Sequence, residues 1–141
     1  MREVDIIGVG MTRFGKHLET SFMDLATLPI LEAMKDGGIR PAEIEAGFCS
    51  YALAGDLHGV ITGGQTIFWQ AGISRIPIIN VENACCSGSS ALYLAWTGVA
   101  SGLYDVALVV GAEKMVVPNF GLLGGRSEER RVGKECRFRW S

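Results

Sequence analysis

The run Val106-Ala107-Leu108-Val109-Val110, opened by Asp105 and closed by Gly111 and Ala112, constrains the fold more than any other segment. It is apolar without alternation, so neither of its faces is built to meet water. A strand of that kind belongs in a parallel sheet covered by helices on both sides. Three more apolar runs read as strands: Val4 to Val9, Gly47 to Leu53 and Pro77 to Val81. Helical patterns lie between them, and alternation of strand with helix predicts an α/β layered fold.

The first helix has the clearest start. Ser21 with Asp24 three residues on is a capping signal, after which Phe22, Leu25, Ala26, Ile30, Ala33 and Met34 fall on one face. Gly37 and Gly38 supply the stop. Pro29, inside this helix, removes one hydrogen bond and crowds the carbonyl of Leu25, which predicts a kink. Pro41 to Ile44 reads as a short helical turn. Gly59 to Ala71 is weakly helical because of its glycines, and Ser89 to Val99 forms a small-residue helix.

With 48% apolar and 20% charged residues in 141, the chain has a globular profile. No stretch reaches the roughly 18 uncharged apolar residues needed to span a bilayer. Acidic residues follow Met1 where a secretory leader would carry basic ones, so a cytoplasmic protein is expected. The four cysteines, Cys49, Cys85, Cys86 and Cys136, make no disulfide framework, and vicinal cysteines strain the peptide between them if bridged. Neither His17 nor His58 stands in ligand spacing with a cysteine, so no zinc site is expected.

The net charge of −2 conceals a split. Residues 1–125 carry seven Lys/Arg against twelve Asp/Glu, or −5, whereas residues 126–141 carry six against three, or +3. An acidic body argues against nucleic acid as a partner. The terminal string RSEERRVGKECRFRWS has nine charged residues in sixteen. It would suit a basic tail for anionic partners or a solvated helix. It also closely resembles a translated sequencing adapter, and that reading is preferred. Residues 1–125 are then the domain, 126–141 a non-native tail, and the natural frame is expected to continue past Gly125.

The chemistry concentrates where the third strand runs into Val81-Glu82-Asn83-Ala84-Cys85-Cys86-Ser87-Gly88-Ser89-Ser90-Ala91. A thiol at a helix start faces unpaired N–H groups and the positive end of the helix dipole. Both favour the thiolate, the reactive form. The small residues after it leave room for a substrate, and the same N–H groups suit a developing oxyanion. The competing reading is that both cysteines are small buried hydrophobes at a tight turn.

This segment resembles the nucleophile segment of thiolases, most closely those of the sterol-carrier or lipid-transfer type. Two other stretches are similar to the same family. One is Ile6-Ile7-Gly8-Val9-Gly10-Met11-Thr12-Arg13-Phe14-Gly15, with Ser21-x-x-Asp24-Leu25-Ala26 after it. The other is Val110-Gly111-Ala112-Glu113-Lys114-Met115. The resemblance runs from residue 4 to about residue 118. It implies a layered α/β/α fold of two similar halves, of which this chain holds most of the N-terminal half. It also implies a homodimeric acyltransferase acting on acyl-CoA and coenzyme A, with no permanently bound cofactor.

In such enzymes a cysteine takes the acyl group as a thioester, which coenzyme A or the enolate of acetyl-CoA then accepts. Counting three residues back from Gly88 assigns that role to Cys85, with Cys86 as the second choice. Family members usually have a small residue in place of Cys86. The activating histidine of a Gly-His-Pro segment has no counterpart here, since neither His17 nor His58 has that context, so the chain alone should lack turnover. Three other readings compete with this one. A nucleotide-binding fold is disfavoured because Arg13 stands where the third glycine of the fingerprint belongs. A ketoacyl or hydroxymethylglutaryl-CoA synthase relative, and a non-catalytic thiolase-like scaffold subunit, stay open.

Overall fold

Ser21 starts the first helix as its spacing predicts. Its Oγ accepts the Asp24 N–H at 3.0 Å, and α1 runs Phe22–Gly37. Gly38, at φ 63°, closes it, with its own N–H and that of Ile39 donating to carbonyls of the last turn. The helix passes through Pro29 without a break. The face it buries is Phe22, Ala26, Thr27, Ile30 and Met34; Leu25 and Ala33 are only half-buried. Thr27 reaches that face because its hydroxyl donates back to the Met23 carbonyl at 2.8 Å, which satisfies its polar atom.

The structure, a computed structural model, describes residues 1–116; the expected tail at 126–141, with Cys136, lies outside the described residues. After a 3₁₀ turn at Pro41–Glu43 come β1 (Ala46–Ser50), α2 (Ala54–His58), α3 (Gly63–Gln70), β2 (Ile78–Val81), α4 (Ser87–Ala100) and β3 (Ala107–Gly111). The sheet order is β2-β1-β3 and both pairings are parallel, with Phe48 opposite Ile79 and Val109. This is an α/β fold, as the sequence predicts.

Helices cover the sheet on its two sides, and β1 alternates between them. Ala46 and Phe48 pack with Ala91 and Ala95 of α4, while Cys49 packs with Phe22, Ile30 and Phe68 of α1 and α3. Gly47 belongs to the same strand because the Phe68 ring occupies the space its Cβ would fill. All five residues of β1 are buried.

Four expectations are corrected. Val4 to Val9 forms no strand. The backbone at Gly8 and Gly10 lies directly against the Ala33 and Pro29 carbonyls of α1, and the Val9 and Met11 N–H groups donate to the Asp36 and Glu32 carboxylates at 2.9 and 3.1 Å. Helix side chains thus take the hydrogen bonds that a neighbouring strand would have taken. The second strand ends at Ser50, since Leu53 is already the N-cap of α2, a helix the sequence reading missed. The strand at Ala107–Gly111 is not buried on both faces: it lies at the sheet edge, and only Val110 is buried. Its open side borders a groove of about 1080 Å³ shared with the N-terminal segment and α4.

The last correction concerns α4, which begins at Ser87 rather than Ser89. Its small residues Ala91 and Ala95 face the sheet and Gly98 meets the Tyr104 ring, whereas Leu92, Tyr93 and Trp96 are 51%, 64% and 41% exposed. The large apolar side chains therefore form an outer stripe instead of the core. Among the described residues no helix is long and apolar enough to cross a membrane.

Candidate functional site

In a parallel α/β sheet the loops that leave the carboxyl ends of the strands gather at one edge, the usual place for a ligand site. Here those loops are residues 51–53 after β1, 82–86 after β2 and 112–116 after β3. Ser50 marks the junction: its Oγ donates to the Val110 carbonyl at 3.3 Å and lies 3.0 and 3.9 Å from where Cβ atoms on Gly111 and Gly88 would stand. The three strand ends and the start of α4 thus meet around one buried hydroxyl.

The turn between β2 and α4 is sharp. A 3₁₀ turn spans Ala84–Cys86, and Ala84 has φ 45°, in the left-handed region that a residue with a side chain seldom occupies. Such a conformation costs on the order of 1–3 kcal/mol and persists where neighbours impose it. Here they do. The Ala84 N–H donates to Glu82 Oε1 at 2.7 Å, and the buried Ser87 hydroxyl donates to the Ala84 carbonyl at 2.8 Å while accepting the Asn83 N–H at 2.8 Å. Asn83 Nδ2 donates to Ser90 Oγ at 2.9 Å, and the Cys86 N–H to the Asn83 carbonyl at 2.9 Å.

This bracing presents the thiols. Cys85 sits in the middle of the 3₁₀ turn and Cys86 is the N-cap residue of α4; both are exposed. The reading of the pair as buried hydrophobes is thereby overturned, but exposure does not separate the two thiols. Cys49 behaves oppositely. It is 1% exposed in β1, and burial pushes its thiol up to about 12. The large groove reaches Gly88 and Ser89 of α4, whereas neither cysteine lines it.

The histidines serve the scaffold. His17 Nε2 bonds the Arg13 carbonyl at 2.6 Å; His58 Nε2 bonds the Lys114 carbonyl at 2.7 Å and its ring stacks on Phe22 at 5.4 Å. One residue outside the sequence reading's site residues matters more. Glu113 Oε2 accepts the N–H groups of Ala52 and Leu53 at 2.8 and 3.0 Å, so the loop after β3 caps the start of α2. The motif Gly111-Ala112-Glu113-Lys114-Met115 was visible in the sequence, but its partner loop lay some sixty residues away.

Glu113→Ala should strip both N–H groups of their acceptor and lower stability by about 1–2 kcal/mol, kept small by the exposure of the carboxylate. Glu113→Gln, which retains an acceptor oxygen, should recover most of that loss. Urea unfolding followed by circular dichroism checks both variants, and equal midpoints for alanine and wild type would refute the capping role.

Comparison with known proteins adds the family. Residues 4–129 match the family described as Thiolase, N-terminal domain, a match that ends four residues beyond the expected boundary at 125. A benzoylsuccinyl-CoA thiolase subunit of Thauera aromatica is 41% identical over 114 residues, covering 79% of this chain and 28% of that protein. Sterol carrier protein 2 of Gallus gallus is 40% identical over 117 residues, covering 81% and 20%. The chain spans less than a third of the length of these relatives. In fold, it is similar to Acat5 thiolase from Ascaris suum in complex with coenzyme A, with TM-score 0.64, 18% identity and coverage of 79% and 30%.

Proposed function

Because the chain belongs to the thiolase family, we propose that its parent is an acyl-CoA acyltransferase in which Cys85 carries the acyl group. One observation carries this reading: Cys85 is an exposed thiol on a strained, braced turn between a parallel strand and the helix that follows it. The Cys85 thiolate attacks the carbonyl carbon of an acyl-CoA. A carbon–sulfur bond forms to the enzyme, the one to coenzyme A breaks, and the proton given up by the Cys85 thiol leaves with coenzyme A as its thiol. The enolate of acetyl-CoA can then take the acyl group in a Claisen condensation. In thiolytic cleavage the thiolate instead attacks the 3-keto carbon of a 3-oxoacyl-CoA, and the C2–C3 bond breaks. Acetyl-CoA leaves once its enolate is protonated, and coenzyme A takes the acyl group from the cysteine. The positive end of the α4 dipole suits the oxyanion of the tetrahedral intermediate.

Coenzyme A thioesters are thus the substrates, and no permanently held cofactor is required. The complex of Acat5 thiolase with coenzyme A supports that substrate class. Full turnover needs a base for the thiol, and both histidines of this chain are committed to backbone carbonyls. The 141 residues alone should therefore stop at the acyl-cysteine and cleave no acetoacetyl-CoA above the rate without enzyme. The apolar outer stripe of α4 fits the same reading, since a second half of the parent, and a homodimer built from it, would have surface to cover.

The test is peptide mass mapping after incubation with an acyl-CoA: the acyl mass belongs on Cys85, and an adduct on Cys86 alone would overturn the assignment. The tail at 126–141 is a separate proposal, that it is adapter-derived. Long-read sequencing of the template past the Gly125 codon decides it. A frame that continues into a Gly-His-Pro segment supports the proposal, and one that reads through RSEERRVGKECRFRWS and stops refutes it.

A further inference from the structure

Residues 82–86 are all exposed, so hydrogen bonds rather than packing hold the turn between β2 and α4. We propose, on the assignment of the acyl group to Cys85, that Glu82 is a positioning residue for that reaction: its carboxylate holds the backbone from which the thiol attacks. The two peptide groups flanking the Ala84 Cα are both clamped. Glu82 Oε1 accepts the Ala84 N–H at 2.7 Å, and Ser87 Oγ donates to the Ala84 carbonyl at 2.8 Å. Between these clamps Ala84 keeps φ 45°.

A glycine would keep that φ at no steric cost. The alanine instead makes the turn depend on its clamps, because a residue with a side chain leaves the left-handed region once its neighbours stop imposing it. Ala84 directly precedes the nucleophile. Its φ therefore sets how the peptide plane entering Cys85 stands against Asn83 and the end of β2. The two clamps differ in what else they do. Ser87 is buried and also accepts the Asn83 N–H at 2.8 Å, so it belongs to the packing of α4. Glu82 is exposed and makes no ion pair among the described residues; its carboxylate serves the turn. Without that carboxylate the turn spends only part of its time in the attacking shape, and the limiting rate of acylation falls by that fraction. A substrate held by other groups binds as before.

The experiment uses the 141-residue chain and follows the acyl adduct on Cys85 by peptide mass mapping against time, over a range of acetyl-CoA concentrations. Each variant is assayed well below its melting midpoint, read by circular dichroism. Glu82→Ala should lower the limiting rate on the order of tenfold with the half-saturating concentration unchanged. Glu82→Gln, which retains an acceptor oxygen, should stay within about threefold of the unsubstituted chain. Adding Ala84→Gly to Glu82→Ala should restore most of the rate, because glycine holds φ 45° without the clamp. That rescue separates positioning from a loss of charge or of overall stability, neither of which a glycine at residue 84 would repair. Glu82→Ala as fast as the unsubstituted chain, Glu82→Gln as slow as Glu82→Ala, or no rescue by Ala84→Gly would each overturn the proposal while leaving Cys85 as the acyl carrier. An adduct absent from Cys85 of the unsubstituted chain would instead overturn that assignment, and the role of Glu82 with it.

Discussion

Phe68→Ala is expected to cost the fold about 3–5 kcal/mol, the range for deleting a buried aromatic ring. Phe68 is fully buried and fills the space over Gly47 at the centre of the sheet, where Gly47 has no side chain of its own to occupy the cavity. A domain of this size has only about 5–15 kcal/mol in total. The chain also leaves Leu92, Tyr93 and Trp96 between 41% and 64% exposed, apolar surface whose burial does not add to that total. The variant should therefore lose its cooperative thermal transition, or show it many degrees lower. Phe68→Leu, which refills part of the cavity, should fall between the two. A melting midpoint unchanged in Phe68→Ala would show that the ring does not hold α3 to the sheet.

Cys85→Ser is expected to abolish acyl uptake from an acyl-CoA, a loss on the order of a thousandfold or more in the rate of adduct formation. Serine is close in size, so the braced turn should survive the change, and its hydroxyl lacks the anionic, polarisable nucleophile that the thiolate supplies. Cys86→Ser should change the rate by less than about tenfold, since Cys86 caps α4 without making a side-chain hydrogen bond. Intact mass against time for the three proteins gives the comparison. If the two serine variants lose acylation equally, the turn acts as a unit and the assignment to Cys85 alone fails.

The two predictions draw on different levels of the molecule. Cys85 is legible in the sequence because strand, turn and helix follow one another within a dozen residues, with a run of small residues after the thiol. Its exposure was not legible, because the alternative of a buried pair satisfies the same residue pattern. Nor was the strain at Ala84: alanine carries no hint of a positive φ, which the carboxylate of Glu82 and the hydroxyl of Ser87 impose from either side. Phe68 lay in a segment whose glycines weakened any helix assignment. Those glycines are there because Asn80 and Tyr51 approach the first turn of α3 closely.

By itself, the sequence determined what depends on neighbours in the chain. That covers the Ser21 cap and Gly38 stop of α1, the strand at residues 78–81, the thiol at the head of α4, and the alternation that makes the fold α/β. Only the tertiary structure decided that β1 is the central strand, that β3 lies at an edge, and that residues 4–9 rest on α1. It alone showed that α4 turns its small residues inward. The physical reason is range. A cap or an apolar period is settled within a few residues, whereas sheet order and the Glu113 cap on α2 rest on groups about sixty residues apart, which compete for the same faces until the chain is packed.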